Sequence, residues 1–144
     1  MKLEPLCTME LQYSGDFHLA RPYGDESGSG WGIGSGTVTG ERLSGQAQWS
    51  NQPQRRGDGV MLPNARGVIS TGDGAEVFFD LTGRTVFLGV DGTTVGRQLL
   101  MTLFESEAEN YVWLNNEVCM TEGAISPEKL STHFEVHLCR SELA

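Results

Sequence analysis

The sequence predicts an all-β protein: a single antiparallel β-barrel of about eight or nine strands with one short helical turn. Three observations carry this reading. Polar and apolar residues alternate with a period of two over most of the chain, nineteen glycines act as scattered punctuation rather than as a repeat, and short strand-like runs are separated by Gly, Asp and Asn turns. A barrel is expected over an open sheet because closure removes exposed edges. Residues 1 to 144 are expected to form one domain around one core.

The alternation begins at residues 3 to 13, where Leu3, Pro5, Cys7, Met9, Leu11 and Tyr13 share a face opposite Lys2, Glu4, Thr8, Glu10 and Gln12. Only Leu6 breaks the rhythm. Residues 14 to 30 read as a loop. The stretch "GSGWGIGSG" then places glycine at every second position from Gly28 to Gly36. A dinucleotide fingerprint requires glycines at relative positions 1, 3 and 6, and the sixth falls on Ile33, Ser35 or Thr37; no phosphate-loop motif occurs either. Two readings stand. One is an extended, bendable segment whose glycine face leaves room for a close neighbour, with Trp31 and Ile33 opposite. The other is a mobile Gly/Ser loop, at least over residues 24 to 30.

The next strands are "GTVTG" and "RLSGQAQWS", with Leu43, Ala47 and Trp49 on one face and the turn at Gly40 and Glu41. After the polar loop "NQPQRRGDG", the runs "VMLPNARGVIS" and "AEVFFDLTG" flank Asp73-Gly74, the strongest hairpin signal in the chain. "RTVFLGV", "RQLLMTLFESE" and "NYVWLNNEVCM" add strands, and "THFEVHLC" is the last. "RQLLMTLFESEAE" also fits a helix, but its flanks are turns and its surroundings are β. In "ISPEKLS", Ser126 as a cap with Pro127 and Glu128 behind it predicts the single helical turn.

A net charge of −9, with Lys2 and Lys129 the only lysines, argues against nucleic acid and anionic membranes as partners. No stretch has the apolar run of a signal peptide or a membrane span, and Cys7, Cys119 and Cys139 are an odd, widely spaced set that fits reduced thiols. A cytoplasmic location is expected.

In "NYVWLNNEVCM", Tyr111, Trp113, Asn115, Glu117 and Cys119 would share a strand face, either a mixed cavity wall or a solvent-exposed sheet face. In "RRGDGV", Asp58 beside Arg55 and Arg56 is either a general base held ionised or half of a salt-bridged turn. His133 and His137 in "HFEVH" lie about 13 Å apart on a strand rising ~3.3 Å per residue, too far to share one ion. No metal is expected.

The order of motifs resembles the bacterial family known as domain of unknown function 3237. It is carried by "LEPL", "GTVTGERLSG", Trp49, "GDGV" at 57 to 60, "NARGVISTGDGAEV" at 64 to 77 and "YVWLNN" at 111 to 116, and it spans most of the chain. The resemblance implies a small single-domain β-barrel and no established activity. Many members carry basic residues where this chain has Trp31-Gly32-Ile33 and "FFDLTGR", so a shared ligand is not implied.

The expected function is that of a lyase, isomerase or cyclase, without a cofactor, acting on a small aromatic or polyketide-like molecule inside the barrel. Asp58 or Asp80 would be the base, and Arg66 or Asn115 would steady an oxyanion. Trp31, Gly34, Trp49, Tyr111 and Trp113 would bind the ligand, the glycines vacating wall volume. A non-catalytic binding barrel and a structural or assembly module are the alternatives. The expected partner is a small hydrophobic or aromatic molecule, with a homodimer left open.

Overall fold

Alternation along each strand sends one row of side chains inward, and in the computed structural model, which describes residues 1–143, those rows meet as the core of a closed barrel. The chain runs through β1 (Lys2–Tyr13), β2 (His18–Ala20), β3 (Gly28–Thr39), β4 (Gly45–Asn51), β5 (Gln54–Arg55), β6 (Met61–Leu62), β7 (Asn64–Thr71), β8 (Glu76–Val90), β9 (Thr93–Glu105), a 3₁₀ turn (Val112–Asn116), β10 (Cys119–Ser126) and β11 (Ser131–Arg140). Eight of these close the barrel in the order β1, β11, β10, β9, β8, β7, β4, β3, with β3 pairing back to β1. Every pairing is antiparallel, and the short β2, β5 and β6 extend one end.

Local irregularities in the sequence become structural devices. Leu6, which interrupts the alternation, falls where the register of β1 against β11 shifts between Pro5 and Cys7, so that Leu6 and Cys7 both turn inward as a β-bulge. Asp91-Gly92 joins β8 to β9 with φ of 49° and 76°, the left-handed pair that a two-residue hairpin requires.

The glycine run is strand, not loop. Gly30, Gly32, Gly34 and Gly36 face inward on β3, while Trp31 and Ile33 face solvent. The room these glycines leave is filled by the protein's own rings. In one layer across six of the eight barrel strands, Tyr13 lies opposite Gly34, Gly34 opposite Trp49, Trp49 opposite Gly67, Gly67 opposite Phe79, and Phe79 opposite Phe104. From β1 to β8 large rings thus alternate with bare backbone, and Tyr13 meets Trp49 edge-on at 4.5 Å. A barrel wall packs this way when alternating large and small residues must fit a narrow interior.

"NYVWLNN" is not a strand. Residues 111 to 116 fold into a turn and the 3₁₀ segment, which plugs one end of the barrel with the fully buried Leu114. Among the described residues the one helical element therefore lies here. "ISPEKLS" instead forms the tight turn between β10 and β11, with Leu130 N–H donating to the Ser126 carbonyl at 2.8 Å.

Candidate functional site

With Leu114 closing one end, the opposite end is the mouth, and it opens into a cup of about 980 Å³, at the upper end of the range for small-molecule sites. The cup exists because three segments overrun the closed barrel. β2 folds the 14 to 27 loop back along the start of β3, pairing His18 with Trp31. β5 and β6 raise the 52 to 63 loop. The β8 to β9 hairpin extends past the last pairing with β7 and brings up Phe87.

Its walls are apolar and aromatic: Phe17, Trp31, Pro53, Met61, Phe87 and Ile125. The polar groups are few. Asp16 and His18 stand exposed on one side, His18 with its ring 5.9 Å from that of Trp31. Arg55 stands at the rim, its Nη2 2.7 Å from Glu26 Oε2. Deeper, Asn51 Nδ2 donates to the Tyr13 hydroxyl at 2.9 Å, and Gln98 Nε2 donates to Thr85 Oγ1 at 2.9 Å. Burial holds the Tyr13 phenol above its ordinary range, partly offset by the Asn51 bond. Arg55 Nε and Gln98 Oε1 are buried without a hydrogen-bond partner among the described residues, as is Trp49 Nε1. Native interiors leave few such groups.

The residues expected to form a site are distributed over the whole molecule. Trp31 lines the cup and is 47% exposed. Trp49 lies beneath it, in the core. Gly34 faces Trp49 across the barrel wall, and a Cβ there would come within 2.5 Å of the indole, so its volume belongs to that ring rather than to a ligand. Tyr111 and Trp113 stand at the plugged end, where the Tyr111 hydroxyl donates to Asp73 Oδ1 at 3.1 Å and the Arg42 guanidinium lies 5.0 Å over the Trp113 ring. Asn115 braces that plug, its amide accepting from Ser106 N–H at 2.7 Å and donating to the Ser106 carbonyl at 2.9 Å.

Arg66 and Asp80 are register partners on β7 and β8, and with Asn115 they border a separate depression of about 780 Å³ on the outer sheet face. Asp58 sits on an exposed turn with Arg56 Nη2 at 2.7 Å, and that hydrogen bond, with the Val60 N–H, brings its carboxyl down to about 2. Such a carboxylate is a weak base near neutral pH. The structure does not bring Asp58, Asp80, Arg66 and Asn115 to the cup.

All three cysteines are free thiols, and burial pushes Cys7 and Cys119 up to about 12, which removes both as nucleophiles. On β11, His133 Nε2 faces Glu135 Oε1 at 2.8 Å and Nδ1 faces Glu10 Oε1. Among the described residues no group of three or more His, Cys, Asp or Glu side chains is placed to hold a metal ion, and no helix is long and apolar enough to cross a membrane.

The sequence pattern of a family described as "Protein of unknown function (DUF3237)" matches residues 1–138. The chain belongs to this family. No curated protein sequence matches it. The DUF3237 fold recurs in solved structures at low identity. A β-barrel-like protein from Acinetobacter baumannii is 17% identical with a TM-score of 0.85, covering 96% of each chain. A protein of unknown function from Clostridium acetobutylicum is 18% identical with a TM-score of 0.84, over 97% of this chain and 100% of that one. An enzyme from Penicillium herquei is 19% identical with a TM-score of 0.69, over 94% and 93%. Of the two stretches set apart in the sequence, "WGI" puts Trp31 on the cup wall, whereas "FFDLTGR" runs along β8 outside it.

The sequence singles out Arg55 only as a neighbour of Asp58 and gives no reason to join it to Asp16, His18 and Gln98, because the four come from three separate segments that only barrel closure assembles. Gln98 does carry a signal. On β9 it is a polar residue in the inward row of Gly96, Leu100, Thr102 and Phe104.

Proposed function

We propose that the chain is a cofactor-independent enzyme of the lyase, isomerase or cyclase kind, acting on a small aromatic or polyketide-like molecule seated in the barrel mouth. One observation carries the reading: an aromatic-walled cup onto which acid–base groups and buried, unpaired polar atoms converge. The acid–base roles pass to His18 and Asp16, which line the cup, and the Arg55 guanidinium is suited to an enolate or other oxyanion that forms there. Reactions of this class move a proton at a carbon next to a carbonyl, which needs a base, an acid and charge stabilisation and no metal. That one barrel of the same fold belongs to an enzyme adds support at the level of the fold alone. The location that fits such a role is the cytoplasm.

The second reading, a carrier with the same cup and no chemistry, is favoured by the exposure of His18 and Asp16. The probe 2-tetralone, a flat bicyclic ketone with exchangeable hydrogens beside its carbonyl, separates the two. It should quench tryptophan emission, and in D₂O the protein should speed its deuterium uptake above the buffer rate. His18→Gln should keep the quenching and lose most of the exchange. Quenching without accelerated exchange in the parent protein would establish the carrier instead. No quenching at all would remove the cup as a site for flat molecules.

A further inference from the structure

We infer that the floor of the cup selects a flat ring bearing a hydroxyl group, gripped between the indole N–H of Trp49 and the side-chain amide of Gln98. The inference deepens the reading of the cup as a small-molecule site and rests on it.

Below the cup lies a second, much smaller opening of about 30 Å³. Tyr13, Asn51, Pro63, Gln98 and Ile125 line both, so the small opening continues the large one into the barrel. Its volume matches one hydroxyl group or one water, and no carbon skeleton fits. Trp49 and Gln98 both border it, and each is only 7% exposed. Trp49 Nε1 is a donor without an acceptor, and Gln98 Oε1 an acceptor without a donor. A buried donor or acceptor left in this state is unfavourable, so a ligand atom that satisfies both gains from each.

Chemistry narrows what satisfies both. A carbonyl oxygen answers only Trp49, and an ammonium answers only Gln98. A hydroxyl accepts from the first and donates to the second. Of the other polar groups at the opening, the Tyr13 hydroxyl accepts from Asn51 and the Gln98 amide nitrogen donates to Thr85, which also fixes the amide plane, while the buried Thr132 hydroxyl borders the opening as well. No ionised side chain borders the small opening, so a neutral hydroxyl is favoured over a phenolate. Above it, Phe17, Trp31 and Phe87 supply flat walls for the ring that carries the hydroxyl. A floor of this kind also favours the enol over the keto form of a bound aryl ketone, the direction that proton transfer beside a carbonyl requires.

The test uses the full chain and two probes of nearly equal size, 2-naphthol and 2-methylnaphthalene. Hydrophobicity alone favours the methyl compound. With the two floor bonds made, 2-naphthol should bind roughly tenfold tighter, about the worth of one well-made buried hydrogen bond. In a nitrogen-15 spectrum its binding should move the Trp49 indole N–H resonance, assigned through Trp49→Phe, downfield, and 2-methylnaphthalene should not. Gln98→Leu should reverse the preference. If that variant does not fold, the parent protein still decides. Equal affinities, tighter binding of the methyl compound, or 2-naphthol binding without a Trp49 shift would each overturn the inference while leaving the cup as a site. Binding of neither probe would overturn it together with the reading on which it rests.

Discussion

A methyl group placed on Gly34 would come within 2.2 Å of the Gln12 carbonyl oxygen and 2.5 Å of the Trp49 ring. Backbone cannot yield as a side-chain tip can, so the bare Cα here is what lets β3 lie between β1 and the Trp49 indole. Gly67 repeats the arrangement one strand beyond Trp49, with the Gln48 carbonyl at 2.4 Å and the Phe79 ring at 2.5 Å from an added Cβ. Gly34→Val is therefore expected to destabilise the fold by about 3 kcal/mol or more, read as a lower urea midpoint with an unchanged slope. A variant as stable as the parent would mean that the wall has slack the packing does not show. The sequence made the glycine periodicity plain and with it the inward face. It did not say what fills that face, because the rings over the glycines arrive from β1 and β4, and only strand register sets one against the other.

At the scale of an element, period two identified β1 and β11, while β7 followed from the Asp73-Gly74 turn and β9 from its flanks; in the structure each has one wet and one dry side. Residues 111 to 119 carry the same alternation and are not all strand. Tyr111 and Val112 donate N–H bonds back to the Ala108 carbonyl, at 2.9 and 3.0 Å, and the chain coils until Leu114 drops into the barrel end. The preceding "SEAEN" holds the missed signal: Ser106 Oγ accepts from the Ala108 N–H at 3.2 Å and so begins the turn.

On β11, both ring nitrogens of His133 face carboxylate oxygens, so both must carry hydrogen, and the ring is held as an imidazolium that bridges β1 to β11. Its pKa is raised, first by the Glu10 bond and then by Glu135. A group whose folded pKa is raised stabilises the protein below its ordinary value and loses that contribution as pH rises through the folded value. His133→Gln should thus lower Tm more at pH 5.5 than at pH 9, by a small margin because the pair is solvent-exposed. An equal loss at both pH values would assign His133 to packing alone.

Over the whole molecule, the seam between the first and last strands is tied at the plugged end. Arg140 on β11 donates to Glu4 on β1 at 2.9 Å and to Glu117 at 3.0 Å, while Arg42 reaches Glu4 at 3.0 Å and covers Trp113. The Arg140 bond holds the Glu4 carboxyl below its ordinary range, so this contribution is present above about pH 4 and fades as pH falls through the lowered value. Arg140→Gln should lower Tm at pH 7, more in low salt than in high, with the difference shrinking at pH 3. A salt-independent loss would point to packing of the arginine stem instead. Fold class was legible in the sequence because alternation and turn chemistry are local. The site was not, because His18, Arg55 and Gln98 share only the end of the barrel on which their strands open.

The closed and open ends give the three tryptophans separate stations along one axis. Trp31 stands half-exposed at the mouth, Trp49 in the dry interior beneath it, and Trp113 beside an arginine at the base. Kept one at a time, they would act as three optical gauges on a single column. Denaturant would then reveal whether the barrel frays from its open rim downward or gives way at every height at once, a question about cooperativity that the protein can answer with its own chromophores.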